Sequence, residues 1–407
     1  VGLGRLGLPC ALALAEAGHE VTACDVRADL IDALVAGKLP DKGYVEPGVP
    51  ELLARVSPAG QPSDFMPVHD IGRVVANSFV VFIAVQTPHA PGYDGTVPVP
   101  DRTRDFEYGY LVQVVKDVAH AAAIQQHEIV IVVVSTVLPG TTDRLLRPLL
   151  NRWCKLVYSP QFIAMGTTLT DFANPEFLLL GSDSGGLSPE AQAVSNVFEP
   201  IHTARRVLCS IVDAELTKVA YNTYISLKIV WANHLAAICD AVGADADTVV
   251  GALAVADQRI TSGAYMYPGM GDGGACHPRD LIALADLERR HELPGFFYGL
   301  AALRDQQALA LARTVVRWCE QTGLEPMVLG RGYKRNTPLT DGSPSLLLMW
   351  CIQQLLPDAV VESYDPLSSP ASVWPDYTQP RVYVLAAKHN EFTETDIEFG
   401  PGSVVID

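Results

Sequence analysis

The chain opens on "VGLGRLGLPCALALAEAGHEVTACDV", with glycines at positions 2, 4 and 7, an apolar helical pattern behind them, and a short strand ending on Asp25. No other stretch constrains the fold as strongly. Glycines at this spacing let backbone approach a pyrophosphate, and the N-terminus of the following helix stabilises its charge. A tight turn alone would not need the helix, the second strand and the acid that follow in order. The opening therefore predicts an α/β unit with an open, mainly parallel sheet.

Asp25 lies 18 residues beyond Gly7, at the tip of the second strand. A carboxylate there bonds ribose hydroxyls and repels a 2′-phosphate, which selects NAD over NADP. Gly2, Leu3, Gly4, Arg5, Leu6, Gly7 and Asp25 form the predicted cofactor turn. Its first strand is expected ahead of Val1, and "SVVID" at the other end reads as a strand with more chain to follow. Strands are predicted at 79–88, 128–136, 155–160 and 176–183, each ending in small or polar residues where an open parallel sheet places its ligand. Val85, Thr87, Pro88, Ser135 and Thr136 are therefore candidates for the cofactor rim. The plainer reading is that the threonines and serine cap the following turns.

Composition narrows the remaining classes. Hydrophobic residues make up 49% of the 407 and charged residues 18%, a globular balance. The net charge of −17 argues against nucleic acid, whose phosphates need a basic face. No unbroken apolar run approaches the ~18 residues of a membrane span, so no membrane partner is expected. The eight cysteines show no C-x-x-C spacing. That predicts no metal site and fits a reducing, cytoplasmic setting.

Residues 213–243 read as one long, mostly apolar helix, too apolar to stand in water on all sides, which predicts a homodimer or higher homo-oligomer. Lys218 and Asn222, four apart, share a face of it, with Glu215 one turn earlier. Downstream, "GMGDGGACHPRDL" is glycine-rich and then turns helical, with Pro278 suited to a first turn. Cys276 is thus expected at a helix N-terminus, where a thiolate is favoured. Gly269, Gly273 and Gly274 leave backbone amides free to wrap a ligand.

Taken together, these motifs resemble the UDP-glucose/GDP-mannose dehydrogenase family over essentially the whole chain. The matching stretches are the N-terminal glycine turn, Thr87-Pro88, "STVLPGTT" (135–142), "AELTKVAYN" (214–222), "DQRI" (257–260) and "GGACHPRD" (273–280). "GRGYKRNT" (330–337), "GSPSLLL", "YDP" and "KHNEF" match in the C-terminal third. The resemblance implies three regions: an NAD-binding domain at 1–205, a central helical dimerisation domain at 206–305, and a Rossmann-like nucleotide-sugar domain at 306–407. It implies oxidation of a nucleotide-sugar primary alcohol by NAD, with Cys276 attacking the aldehyde and carrying a thioester. Lys218 and Asn222 would stabilise the oxyanion, and Asp280 and Thr136 would position a water. Gln161, Phe162 and Ile163 would line the sugar, Arg259 would reach a neighbouring copy's substrate, and Tyr333 and Lys334 would hold the nucleotide.

Departures from the family pattern cluster at the chemistry. Gln161 and Met165 stand where the family has glutamates, and the first of those glutamates activates water against the thioester. An amide cannot take that proton, so a long-lived acyl-enzyme and an NADH burst are expected. Glu176 lies on the next strand and is not expected to replace it. Asp341 replaces an arginine and Asp272 an aromatic. These changes keep two other outcomes open: a two-electron oxidation stopping at the aldehyde or a ketone, and a non-catalytic nucleotide-sugar binder. A β-hydroxyacid dehydrogenase would share the glycine turn and the Lys218/Asn222 pair, but has no use for Cys276 or for a third domain.

Overall fold

The computed structural model describes residues 1–39, 46–57, 63–98, 100–269, 271–369, 375–394 and 397–407. The chain forms two compact units, residues 1–226 and 227–407. In the first unit, β1 (Val21–Cys24) and β2 (Phe65–Val68) pair in parallel. A five-stranded sheet follows, ordered β3 (Val80–Ile83), β4 (Ile129–Val133), β5 (Cys154–Tyr158), β6 (Leu178–Ser182) and β7 (Arg206–Ser210). The backbone of the glycine turn bridges the two sheets. Gly2 N–H donates to the Cys24 carbonyl and Ala84 N–H to the Val1 carbonyl, both at 2.9 Å. The helices of this unit are α1 (Gly7–Glu16), α2 (Ala28–Val35), α3 (Val49–Val56), α4 (Ile71–Ala76), α5 (Gly109–Gln125), α6 (Thr168–Ala173) and α7 (Pro189–Phe198).

Strands β3 and β4 are the apolar runs read from the sequence, shorter at both ends. Their Val81, Ile83, Ile131 and Val133 pack against Leu111, Val115 and Val118 of α5. One pair of strands departs from the parallel pattern. β5 and β6 meet antiparallel, through Tyr158 opposite Gly181, within an otherwise parallel sheet. A strand buried on both faces is a run of hydrophobics in either direction, so the pattern carries no sign of polarity.

Helix α8 (Ile211–Val242) is continuous over 32 residues. By length and composition it is apolar enough to cross a membrane, although no unbroken apolar run suggested so in the sequence. The second unit contains α9 (Ala246–Ala254), α10 (His277–Arg290) and α11 (Phe296–Thr322). Its parallel sheet is ordered β11 (Val404–Ile406), β10 (Val382–Leu385), β8 (Pro326–Leu329) and β9 (Glu362–Tyr364). Helices α12 (Pro344–Leu355) and α13 (Asn390–Thr393) complete it. The second Rossmann-like sheet is thus present, packed on α11 and α12 through Val315, Val328, Leu348 and Ile352.

Candidate active site

The glycine turn is built for a close approach. Gly2 has φ +87°, and a Cβ on Gly7 would stand 1.9 Å from the Gly2 carbonyl oxygen, so a side chain at position 7 would break the turn. Around Gly4 nothing lies within 4 Å of such an atom, which leaves the turn open at its middle. Both oxygens of Asp25 are oriented by backbone: Leu3 N–H donates to Oδ2 at 2.7 Å and Arg27 N–H to Oδ1 at 2.9 Å. The residues fit a dinucleotide, with amides for the pyrophosphate and a fixed carboxylate for the ribose. Arg5 is exposed and Leu6 half-buried at the start of α1.

The neighbouring rim is cross-tied. Thr87 Oγ1 donates to the Thr136 carbonyl at 2.7 Å, and Ser135 Oγ to the Val85 carbonyl at 2.5 Å. These hydroxyls therefore join the ends of β3 and β4 to each other rather than capping helices. Pro88 follows, its carbonyl accepting Glu107 N–H at 2.7 Å. A cavity of about 490 Å³ lies between β1 and β3, walled by Cys10, Leu14, Phe172 and Phe198. Gly2, Leu3 and Gly7 of the glycine turn also line it, with Ala84, Val134 and Gln161 just past the ends of β3, β4 and β5.

Lys218 on α8 is 8% exposed. Its Nζ donates to the Gln161 carbonyl at 2.7 Å and sits 4.7 Å from the centroid of the Phe162 ring. Burial pushes its pKa down, since leaving water disfavours the charged form. The contact uses the backbone of residue 161, so the amide side chain that replaces a glutamate leaves this anchor intact. Ile163 is half-buried on the same segment, Met165 is exposed, and Asn222 lies exposed one turn along α8. Phe162 also packs on Tyr221, whose hydroxyl donates to Glu176 at 2.9 Å.

One residue on this helix was seen only as sharing its face. Glu215 is fully buried, and its carboxylate accepts Gly140 N–H at 2.6 Å and Thr142 N–H at 2.8 Å. It clamps the turn that follows Ser135 and Thr136.

In the second unit Cys276 is the N-cap of α10, with Pro278 in the first turn, and its thiol is exposed. The other cysteines are buried or half-buried, and burial pushes the thiols of Cys209 and Cys319 up to about 11. The glycine loop before Cys276 is pressed on Tyr333 and on Pro344 at the start of α12. Gly274, at φ +99°, has no room for a Cβ, which would lie 3.0 Å from the Tyr333 ring, and one on Gly273 would lie 2.5 Å from Pro344. Lys334 Nζ stands 5.4 Å from the Tyr333 ring centroid. Asp280 is paired with Arg279 at 2.8 Å, while Arg259 lies exposed after α9 and Gly269 turns at φ +85°. Behind Tyr333, the buried Asp365 accepts N–H bonds from Arg331 (2.6 Å) and Gly332 (2.9 Å) and pairs with His389 at 3.1 Å. Burial pushes the Asp365 carboxyl up, but these backbone donors and His389 outweigh it and hold it below the usual value.

The structure thus gathers the predicted residues into two sets. Gly2 to Gly7, Asp25, Val85, Thr87, Ser135 and Thr136 lie together at the glycine-turn end of the first unit, with Gln161, Phe162 and Lys218 joined to one another in that unit. Cys276, Gly273, Gly274 and Tyr333 form the second set. Two residues of the glycine loop carry more than the sequence indicated. Asp272 and His277 are hydrogen-bonded at 3.1 Å, across five positions that no periodic pattern connects.

Residues 1–202 match the NAD binding domain of the UDP-glucose/GDP-mannose dehydrogenase family, and residues 212–304 match its central domain. The UDP-glucose 6-dehydrogenase of Rhizobium meliloti (strain 1021) is 30% identical over 375 residues, covering 90% of this chain and 80% of that protein. The GDP-mannose 6-dehydrogenase of Pseudomonas aeruginosa is 29% identical over 310 residues, 72% of this chain and 65% of the relative. The crystal structure of a ternary complex of GDP-mannose dehydrogenase from Pseudomonas aeruginosa shares the fold. Its TM-score is 0.83 at 23% identity, covering 99% of this chain and 94% of that one. With an NAD-binding glycine turn, a second parallel sheet and these matches, the chain belongs to the UDP-glucose/GDP-mannose dehydrogenase family of NAD-dependent nucleotide-sugar dehydrogenases.

Proposed function

We propose that this chain oxidises the primary alcohol of a UDP- or GDP-linked hexose to the carboxylate, with Cys276 carrying the acyl group. The observation that carries this reading is the exposed Cys276 at the N-cap of α10, in a loop packed on Tyr333. NAD, when bound, accepts the hydrides. Gly2 to Gly7 and Asp25 hold it, with Val85, Thr87, Pro88, Ser135 and Thr136 along its rim. Lys218, with Asn222 beside it, donates to the oxyanion of the sugar, a donor set in advance in a dry site. Cys276 adds to the aldehyde carbon, and loss of the second hydride leaves a thioester. Asp280 and Thr136 place the water that releases it. Tyr333 and Lys334 hold the nucleotide, Gln161 to Ile163 line the sugar, and Arg259 reaches the substrate of a second copy. In this reading the chain works as three domains, 1–205, 206–305 and 306–407, in a reducing compartment where none of its eight cysteines is paired.

Gln161 favours one other reading, a two-electron oxidation that stops before the acid. The two separate by stoichiometry. With UDP-glucose and GDP-mannose as substrates, two moles of NADH per mole of sugar are expected, and Cys276→Ala abolishes the second. One mole per sugar, unchanged in Cys276→Ala, identifies the two-electron enzyme.

A further inference from the structure

Replacing a glutamate by Gln161 removes the group that would take a proton from water, yet in the second unit the residue next to Cys276 in the chain is a histidine. We infer that His277, oriented by Asp272, is the general base for release of the Cys276 thioester. This rests on the reading of Cys276 as nucleophile. His277 is the residue after Cys276, with Cα atoms about 3.8 Å apart, and opens α10. Its Nδ1 lies 3.1 Å from Asp272 Oδ1. An ionised carboxylate only accepts, so Nδ1 carries the hydrogen and Nε2 presents its lone pair.

Asp272 is itself fixed. Arg304 on α11, with its side chain only 16% exposed, donates Nε–H to the Asp272 carbonyl at 2.9 Å and stands 3.9 Å from its carboxylate. A chain of Arg304, Asp272 and His277 thus sets the imidazole from a half-buried anchor, whereas an ordinary surface pair has two loose ends. The His277 side chain is 59% exposed, so water reaches Nε2. Among the described residues the Tyr265 ring lies 6.4 Å from it between centroids, and the exposed Arg279–Asp280 pair follows on α10. Asp272 stands where the family pattern has an aromatic, so the carboxylate that orients His277 and the loss of the glutamate at 161 occur in the same chain.

In the step assigned to it, His277 Nε2 takes a proton from water as the water oxygen bonds to the acyl carbon. The tetrahedral adduct then collapses with cleavage of the C–S bond. The proton on Nε2 passes to the departing thiolate, leaving the Cys276 thiol and the carboxylic acid. The step involves no oxidation or reduction. His277 is the catalytic residue and Asp272 a positioning residue, and together they shorten the life of the acyl-enzyme that Gln161 alone would leave.

The test follows one acyl group without the sugar. p-Nitrophenyl acetate is added to the full chain, and the lifetime of acetyl-Cys276 is followed by intact mass across pH. In the wild type, deacetylation is expected to slow as the pH is lowered, since a protonated imidazole cannot take a proton from water. In His277→Gln the adduct should live roughly 10²–10⁴-fold longer, the usual worth of a general base, and the acid limb should vanish. Asp272→Asn should lengthen the life of the adduct, since the carboxylate that fixes Nδ1–H and leaves Nε2 free is lost, and Asp272→Glu should restore it. If His277→Gln does not fold, the Asp272 pair carries the test. Equal lifetimes and equal pH profiles in the wild type and these variants overturn the role of His277. If instead Cys276→Ala gives the same nitrophenolate burst and reduces NAD with UDP-glucose or GDP-mannose at the wild-type rate, the reading of Cys276 itself fails.

Discussion

Lys218 shows how one residue bears opposite demands from stability and from chemistry. Its ammonium is nearly buried, held by one carbonyl and an aromatic face. No carboxylate pairs with it among the described residues. Burial lowers its pKa, so between the folded and unfolded values the unfolded chain binds the extra proton. Stability therefore rises with pH through that interval, and below it the charged form carries its full desolvation cost. Lys218→Met keeps the stem and removes the charge. Thermal unfolding should then occur at the wild-type temperature or above it, with a flatter dependence on alkaline pH. NADH formation should fall about 10²–10³-fold, the loss typical of an oxyanion donor. A marked loss of stability with activity retained would make Lys218 a structural anchor only.

At the scale of elements, Glu215 makes α8 and the 135–142 turn one piece. Removing its carboxylate leaves two N–H groups without acceptors, that of Gly140 half-buried and that of Thr142 buried. At about 1–3 kcal/mol each, Glu215→Ala should cost about 2–6 kcal/mol. Glu215→Gln, which keeps one acceptor oxygen, should cost less. Urea unfolding orders the two variants, and equal midpoints would remove the clamp. This contact also marks what the sequence conceals. That Glu215 and Lys218 share a helix face follows from their spacing, but partners that are backbone amides of a turn 73 and 75 residues earlier do not. The glycine turn, Asp25 and the helix behind Cys276 were legible because local spacing dictates them. The polarity of β6 against β5, the 161 carbonyl on Lys218 and the Asp272–His277 pair were not, because each depends on tertiary placement or on main-chain atoms that every residue carries.

The whole molecule carries an unmet demand along α8. All residues from Asn222 to Val230 are exposed, and Ile225, Leu227, Ile229 and Val230 stand between 41% and 56% exposed. Two covers suit so apolar a helix, a bilayer or protein. Lys228 in the middle of this stretch, with Asp213 and Asp240 toward its ends, favours protein, since charges at such depths in lipid cost several kcal/mol. Each large aliphatic side chain taken from water contributes about 1.5–3 kcal/mol, so a handful from each of two copies suffices for a stable pair. The active species should therefore sediment as a dimer or larger. Ile225 and Ile229, four apart, lie on one face of the helix. Ile225→Arg with Ile229→Arg should yield monomers, and activity should fall with dissociation, because Arg259 would then have no partner site to enter. The decisive measurement is sedimentation velocity of the wild type at assay concentration, alone and with anionic vesicles. A monomer with full activity would sink the dimer and the shared Arg259 together, while co-sedimentation with vesicles would assign the helix to the membrane instead.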